Sequence, residues 1–135
     1  MTAIARGWQK RRGIGLDVAP ALLALGLMFW LGLTPLDSLP GPQFELVDKV
    51  WHLMAFGGLA GLLSRSIMYL GHGALLAARA ASLISVTLGA VLEILQSFTR
   101  YRSADWADFL ADAIGVALAY AVLRGLDAAA TKGSA

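Results

Sequence analysis

Ionisable and amide side chains recur in three stretches of a chain that is otherwise strongly apolar. The first stretch carries Asp48, Lys49 and His52, the second carries Glu93, Gln96 and Arg100, and the third carries Arg102, Asp105, Asp108 and Asp112. Carboxylates and histidine can transfer protons and bind cations, while guanidinium groups bind phosphates. Which of these roles the side chains can play depends on the secondary-structure elements that position the three stretches.

Helical geometry would place the chemically active side chains of each stretch on one face. At about 100° per residue, Asp105, Asp108, Asp112 and Gly115 fall within an arc of about 80°. At a rise of 1.5 Å per residue, Asp112 lies about 10 Å from Asp105 along its helix, and Glu93 lies about 10 Å from Arg100. The two innermost acids are therefore predicted to reach similar depths.

The elements that must carry these residues are apolar runs of membrane-spanning length. Hydrophobic residues make up 58% of the 135 residues and charged residues 15%, with a mean hydropathy of +0.67. A hydrocarbon core of roughly 30 Å is crossed by about 20 apolar residues. We predict an all-α integral membrane bundle of four transmembrane helices over residues 14–124. Its helices cover about 14–34, 50–70, 74–98 and 105–123, between a basic tail at 1–13 and a flexible tail at 125–135.

Composition excludes several classes of function. The chain has no cysteine, so disulfides, thiolate metal sites and cysteine nucleophiles are absent. A net charge of +2 could suit nucleic acid, but the basic residues lie in tails and loops, where membrane orientation explains them. We therefore expect no nucleic-acid partner. His-Glu-x-x-His, Gly-x-Ser-x-Gly and phosphate-binding loop motifs are also missing from the sequence.

The distribution of Lys and Arg predicts that both termini are cytoplasmic. With four alternating crossings, eight basic residues fall inside and three outside, as the positive-inside rule requires. The inside set is Arg6, Lys10, Arg11, Arg12, Arg65, Arg79, Arg124 and Lys132, and the outside set is Lys49, Arg100 and Arg102. The same alternation brings all three polar stretches to the outer face, and a reversed topology would still keep them together.

We accordingly predict an outward-facing polar pocket between the second, third and fourth helices. Its predicted residues are Asp48, Lys49, His52, Glu93, Gln96, Arg100, Arg102, Asp105, Asp108 and Asp112. A carboxylate inside the membrane costs on the order of 3 kcal/mol on insertion scales, and more when unpaired. Five acids face three bases here. Protonation, water, a cation or a ligand must balance the difference.

The three stretches resemble the signature blocks of the VanZ-like family of small bacterial membrane proteins. The matching blocks are Asp48-Lys49-Val50-Trp51-His52, Glu93-x-x-Gln96 and Arg102-x-x-Asp105-x-x-Asp108-x-x-x-Asp112-x-x-Gly115, in the family's order over about residues 14–124. The family's usual residue at the position of Asp112 is Asn, so this chain carries an additional negative charge there. The resemblance implies a four-helix protein of the bacterial cytoplasmic (inner) membrane. The founding member is linked to low-level teicoplanin resistance, but most members have no assigned activity.

Several residues allow both a functional and a structural interpretation. Glu93 is either the central acid of a site, which intramembrane acids favour, or one side of an interhelical hydrogen bond. His52 is either a proton carrier or metal ligand, or a hydrogen-bonded helix-end histidine, which its single occurrence among scattered acids favours. Asp105 is predicted to cap the fourth helix, whereas Asp112 lies too deep to be a cap.

Three functions are consistent with these residues. The leading hypothesis is a non-enzymatic or weakly catalytic envelope protein that binds an anionic lipid or lipid-linked cell-wall precursor through Arg100 and Arg102, with glycopeptide tolerance as a consequence. The second is a membrane enzyme that acts on a lipid headgroup through Glu93 and a cation-binding cluster of Asp108 and Asp112, with His52 as a further catalytic candidate. The third is a small carrier that works as an oligomer. No cofactor is expected beyond a divalent cation, for which Asp108 and Asp112 are the candidate ligands.

Overall fold

Four helices make up the part of the chain that the computed structural model describes, residues 17–35, 45–100 and 104–133. In chain order they are α1 (Ala19–Gly32), α2 (Glu45–Tyr69), α3 (Ala74–Ser97) and α4 (Trp106–Lys132). No strand occurs within these described ranges. The predicted all-α fold is confirmed.

Three of the four helices could cross a membrane. Helices α2, α3 and α4 are long and apolar enough to do so, while α1 is a shorter apolar helix of 14 residues. At 1.5 Å per residue, α1 is roughly 21 Å long. The predicted first crossing begins at residue 14, and residues 1–16 lie outside the described part of the chain.

Two helices extend beyond the ranges that hydropathy predicts. Helix α2 begins at Glu45, so Asp48 and Lys49 are helical and their side chains are carried on the first turns of α2. Helix α4 continues to Lys132 and includes most of the stretch predicted as a tail. Alanine, which recurs in this stretch, has the highest helix propensity. The hydrophobic run marks the membrane-compatible segment of a helix, but not the helix ends.

Small residues face the inside of the bundle, and large apolar residues face outward. The buried residues of α3 recur every three or four positions, namely Ala77, Ala78, Ala81, Ser85, Gly89, Leu92, Glu93 and Gln96. Large side chains such as Leu83, Leu118 and Val122 are exposed on the outer surface. Small side chains let membrane helices approach closely, while lipid solvates the outward-facing apolar residues. The pattern is that of a membrane bundle rather than a soluble one.

Helices α2 and α4 touch through their backbones. A β-carbon added to Gly57 would lie 2.9 Å from the carbonyl oxygen of Gly115, closer than such atoms can pack. A β-carbon added to Gly61 would meet none of the described residues within 4 Å. Of the two glycines in Gly57-x-x-x-Gly61, only the first lies at a close helix contact in the described part of the chain. This contact fixes the separation of α2 and α4 at the level of the polar stretches.

A separate ion pair joins the start of α1 to the last turns of α2, at the opposite end of the bundle. Arg65 donates to Asp17 Oδ1 from Nε at 2.9 Å and from Nη2 at 2.8 Å. Ser66 Oγ donates to the backbone carbonyl of Asp17 at 2.7 Å. Asp17 was not among the residues that the sequence marked as functional. The alternation of helices could have suggested the pair, because it places Asp17 and Arg65 at the same membrane face.

Candidate functional site

Three helices each contribute one buried ionisable side chain to a single cluster. His52 of α2 is 8% exposed, Glu93 of α3 is 6% exposed and Asp112 of α4 is fully buried. One nitrogen or oxygen atom from each of the three lies within 4.8 Å of the others. Each residue lies on the buried stripe of its helix, so the helical period directs all three inward. These residues form the His52–Glu93–Asp112 cluster.

Asp112 and His52 are directly hydrogen-bonded. His52 Nδ1 lies 2.9 Å from Asp112 Oδ1, and the imidazole N–H donates to the carboxylate when Nδ1 carries the proton. The ring of His52 stacks on Phe56, with centroids 6.3 Å apart and planes 17° apart. Asp112 Oδ2 is buried and has no hydrogen-bond partner among the described residues. Asp112 and Phe56 therefore orient the imidazole, while Asp112 Oδ2 remains able to accept a hydrogen bond or bind a cation.

Glu93 also has a hydrogen-bond partner for only one of its two carboxylate oxygens in the described part of the chain. Its Oε2 accepts a hydrogen bond from the backbone N–H of Asp105 at 2.9 Å, which ties α3 to the start of α4. Its Oε1 is buried without a hydrogen-bond partner in the described parts of the chain. A buried carboxylate oxygen without a donor costs on the order of 1–3 kcal/mol, and more for a charged group. The cluster thus contains two buried oxygen atoms that are free to accept a ligand.

Asp105 caps α4, as predicted. Its Oδ1 accepts from the backbone N–H of Ala107 at 2.9 Å, and its Oδ2 accepts from Lys49 Nζ at 3.1 Å. The Ala107 amide, followed by Lys49, holds the pKa of the Asp105 carboxyl below its usual range, since both partners stabilise the charged form. Asp105 therefore lies at the rim of the site, and both of its carboxylate oxygens make structural contacts.

Asp108 lies in a second group of side chains nearer to the helix ends. It is buried, and its Oδ1 lies 3.3 Å from Lys49 Nζ, an ion pair without hydrogen-bond geometry. Ligating atoms of Asp48, His52 and Asp108 lie within 4.8 Å of one another. The predicted cation ligands Asp108 and Asp112 thus fall into two different groups, which His52 joins.

The charges of the described cluster and its rim are predominantly negative. Among the described residues, Lys49 pairs with two of these acids, Asp105 and Asp108. The acids that surround His52 on the three helices are Asp48, Glu93, Asp105, Asp108 and Asp112. Arg100 is exposed beyond the end of α3, and Arg102 lies outside the described residues. The interior of the site suits a positively charged group better than an anion.

Gln96 makes its hydrogen bond with another part of the bundle. It is almost fully buried, and its Nε2 donates to the carbonyl oxygen of Gly32 at 2.9 Å. This bond satisfies a carbonyl at the C-terminal end of α1, where helical partners run out. The side-chain donor of Gln96 therefore anchors α1 to α3.

Gly89 is the site residue that the sequence analysis missed. A β-carbon at this position would lie 2.7 Å from Asp112 Oδ2 and 3.3 Å from Asp112 Cβ. The absent side chain makes room for the buried carboxylate. Gly89 lies one helical turn before Glu93 on the same buried stripe, and that spacing was the available signal.

The family comparison covers most of the chain. Residues 13–127 match the family model described as VanZ/LLP1. The chain belongs to the VanZ/LLP1 family. No curated protein and no solved structure matches the chain significantly.

VanZ/LLP1 membership confirms the resemblance carried by the three polar blocks. In this VanZ/LLP1 chain, each block supplies one member of the His52–Glu93–Asp112 cluster. Asp112 is the fully buried member of the cluster.

Proposed function

We propose that this VanZ/LLP1 protein binds the headgroup of an anionic lipid or lipid-linked envelope precursor at the end of the bundle that carries the His52–Glu93–Asp112 cluster. The observation that carries the proposal is the convergence of three buried ionisable side chains, with two unpartnered carboxylate oxygens, at one end of membrane-compatible helices. Intramembrane ionisable groups that lack partners are generally part of a functional site.

Tryptophans beside the cluster support a location at headgroup level. Trp51 precedes His52 and Trp106 follows Asp105, and both indoles are exposed on the outside of the bundle. Tryptophan is enriched where the hydrocarbon core meets the headgroups. A lipid headgroup could then enter the site laterally while the lipid stays in the bilayer.

The charges of the site suggest how one headgroup would be held. The phosphate would bind at the exposed guanidinium of Arg100, since guanidinium groups form paired hydrogen bonds with phosphate oxygens. Hydroxyl or ammonium groups of the same headgroup would donate to Glu93 Oε1 and Asp112 Oδ2. A sugar-bearing lipid phosphate or pyrophosphate offers both kinds of group.

Lipid binding can be tested by native mass spectrometry of the purified protein in detergent. Anionic phosphatidylglycerol and a polyprenyl-pyrophosphate-linked sugar would be compared with zwitterionic phosphatidylcholine, whose headgroup has no N–H or O–H donor. We expect the anionic lipids to bind preferentially, and Arg100→Ala and Glu93→Gln to weaken them. Asp127→Asn, at the far end of α4, is the charge-matched control. Equal retention of all lipids, or binding that neither site variant changes, would contradict the proposal.

The proposal includes an orientation and a phenotype. The protein lies in the bacterial cytoplasmic membrane with both termini cytoplasmic, so the site faces the cell envelope. Binding a cell-wall precursor there would alter its access to glycopeptides and increase tolerance to teicoplanin. Overexpression in a susceptible strain should raise the inhibitory concentration, and Glu93→Gln should cancel the effect. Unchanged susceptibility with wild-type protein would remove this part of the proposal.

A second candidate function, a membrane enzyme, is favoured by the 2.9 Å contact between His52 and Asp112. An imidazole that is oriented by a carboxylate is a common general base, and Glu93 lies close enough to assist. His52 would activate a water molecule for attack on a headgroup ester. Release of the headgroup from a lipid by wild-type protein, and not by His52→Gln, would establish this function over simple binding.

A further inference from the structure

Buried ligand atoms converge in the His52–Glu93–Asp112 cluster. All three side chains are more than nine-tenths buried, and their ligating atoms lie within 4.8 Å of one another. Asp112 Oδ2 and Glu93 Oε1 have no hydrogen-bond partner among the described residues. Two buried carboxylate oxygens without donors, in side chains that approach the same imidazole, need either protons or a cation.

The charge of the surroundings favours a cation. Lys49 forms its ion pairs with Asp105 and Asp108, outside the inner cluster. Within the described part of the chain, two carboxylates of the inner cluster therefore face one histidine, and each buried charge carries a large desolvation cost unless it is compensated. A divalent cation compensates both carboxylates at once.

The surrounding groups orient the inner cluster. The Asp105 backbone N–H holds Glu93 Oε2, and Phe56 stacks on the ring of His52. Gly89 leaves the space that the Asp112 carboxylate occupies. Outer contacts of this kind fix metal ligands in their binding orientation.

From these contacts we infer that His52, Glu93 and Asp112 bind a divalent first-row transition-metal ion, Zn²⁺ or Mn²⁺. One imidazole and two carboxylates suit these ions, whereas Mg²⁺ and Ca²⁺ prefer oxygen ligands alone. Asp112 supplies a fully buried anionic ligand.

The metal site deepens the proposed function and shares its location: a cation held by Glu93 and Asp112 would replace the headgroup donors at these carboxylates and attract the headgroup phosphate. Metal binding itself requires no lipid. The two proposals can therefore fail separately: metal binding without lipid preference would overturn only the lipid proposal, and lipid preference without metal binding would overturn only the metal site.

The test uses the full-length protein in detergent, stripped with chelator and titrated with Zn²⁺ or Mn²⁺ alone. Calorimetry and elemental analysis should give one tightly bound ion per chain. Asp112→Asn preserves the size of the side chain and should weaken binding by roughly tenfold or more, as should Glu93→Gln. Thermal unfolding without metal establishes that each variant is folded.

Two control variants match these changes outside the cluster. Asp127→Asn makes the same substitution at the far end of α4, and His72→Ala removes the exposed second histidine of the described chain. Both should bind metal like wild type, whereas His52→Ala should not. Absence of stoichiometric binding to folded wild-type protein would overturn the inference. So would wild-type affinity in folded Asp112→Asn and Glu93→Gln.

Discussion

Gly89 of α3 packs directly against the Asp112 carboxylate of α4, so closely that a β-carbon at position 89 would lie 2.7 Å from Asp112 Oδ2. No helix-packing motif in the sequence marks this pair. The contact explains how a fully buried carboxylate fits between two helices. It also links the volume at position 89 to the position of the acid that hydrogen-bonds His52.

Gly89→Ala should destabilise the bundle by displacing the Asp112 carboxylate. The added methyl group would overpack a buried contact, and we expect the free energy of unfolding to fall by about 1–3 kcal/mol. Because the displaced group hydrogen-bonds His52, metal affinity should fall as well. Denaturant-induced unfolding in mixed micelles measures the first effect.

The Asp112→Ala background supplies the control for this substitution. With the carboxylate removed, Gly89→Ala should cost less, and the double-mutant cycle should give a coupling of at least about 0.5 kcal/mol. An identical cost in both backgrounds would show that the strain lies elsewhere.

Gly57→Ala and Gly61→Ala should have opposite effects, although both glycines belong to one motif. The new methyl group at position 57 would collide with the Gly115 carbonyl, a backbone atom that cannot rotate away, and should cost about 1–3 kcal/mol. Position 61 is open, so Gly61→Ala should stabilise the helix by up to about 1 kcal/mol. Unfolding of the two variants under identical conditions checks the difference. Equal losses would contradict the close α2–α4 contact.

Asp105 should contribute an acid-sensitive part of the stability. Its pKa in the folded protein lies below the usual value because the Ala107 amide and Lys49 stabilise the carboxylate. A lowered pKa stabilises the fold above the unfolded-state pKa, and this contribution disappears as pH falls through the folded-state value. Wild type should therefore have a higher Tm than Asp105→Asn at neutral pH, and the gap should close in acid. A gap that does not change with pH would rule out the charged contacts as its source.

Cysteine labelling should place the site on the envelope side of the membrane. The chain has no cysteine, and Ala104 and His72 are exposed at opposite ends of the bundle. In intact cells, a membrane-impermeant maleimide should label Ala104→Cys, and it should label His72→Cys only after permeabilisation. The reverse pattern would turn the site toward the cytoplasm and make a cytoplasmic ligand the better hypothesis.

The sequence by itself determined the class of protein and the composition of the site region. Apolar runs of membrane length predicted the helices, because a segment that crosses a bilayer must be long, apolar and nearly free of charge. The period of the helix put Asp108 and Asp112 on one face, and the place of Asp105 at the start of the fourth apolar run identified it as a cap. Alternating crossings brought the three polar stretches to one end. These inferences need only local geometry and the direction of each helix.

Only the tertiary structure decided which side chains meet. The rotation of each helix about its own axis depends on its neighbours, and the close contact of Gly57 with Gly115 is part of what sets it. That packing pairs Asp112, rather than Asp108, with the inner face of His52 and Glu93, and it directs Gln96 to α1. Local spacing fixes the depth of a residue along its helix. Which residues meet across helices also depends on the rotation of each helix about its axis, and close packing determines that rotation.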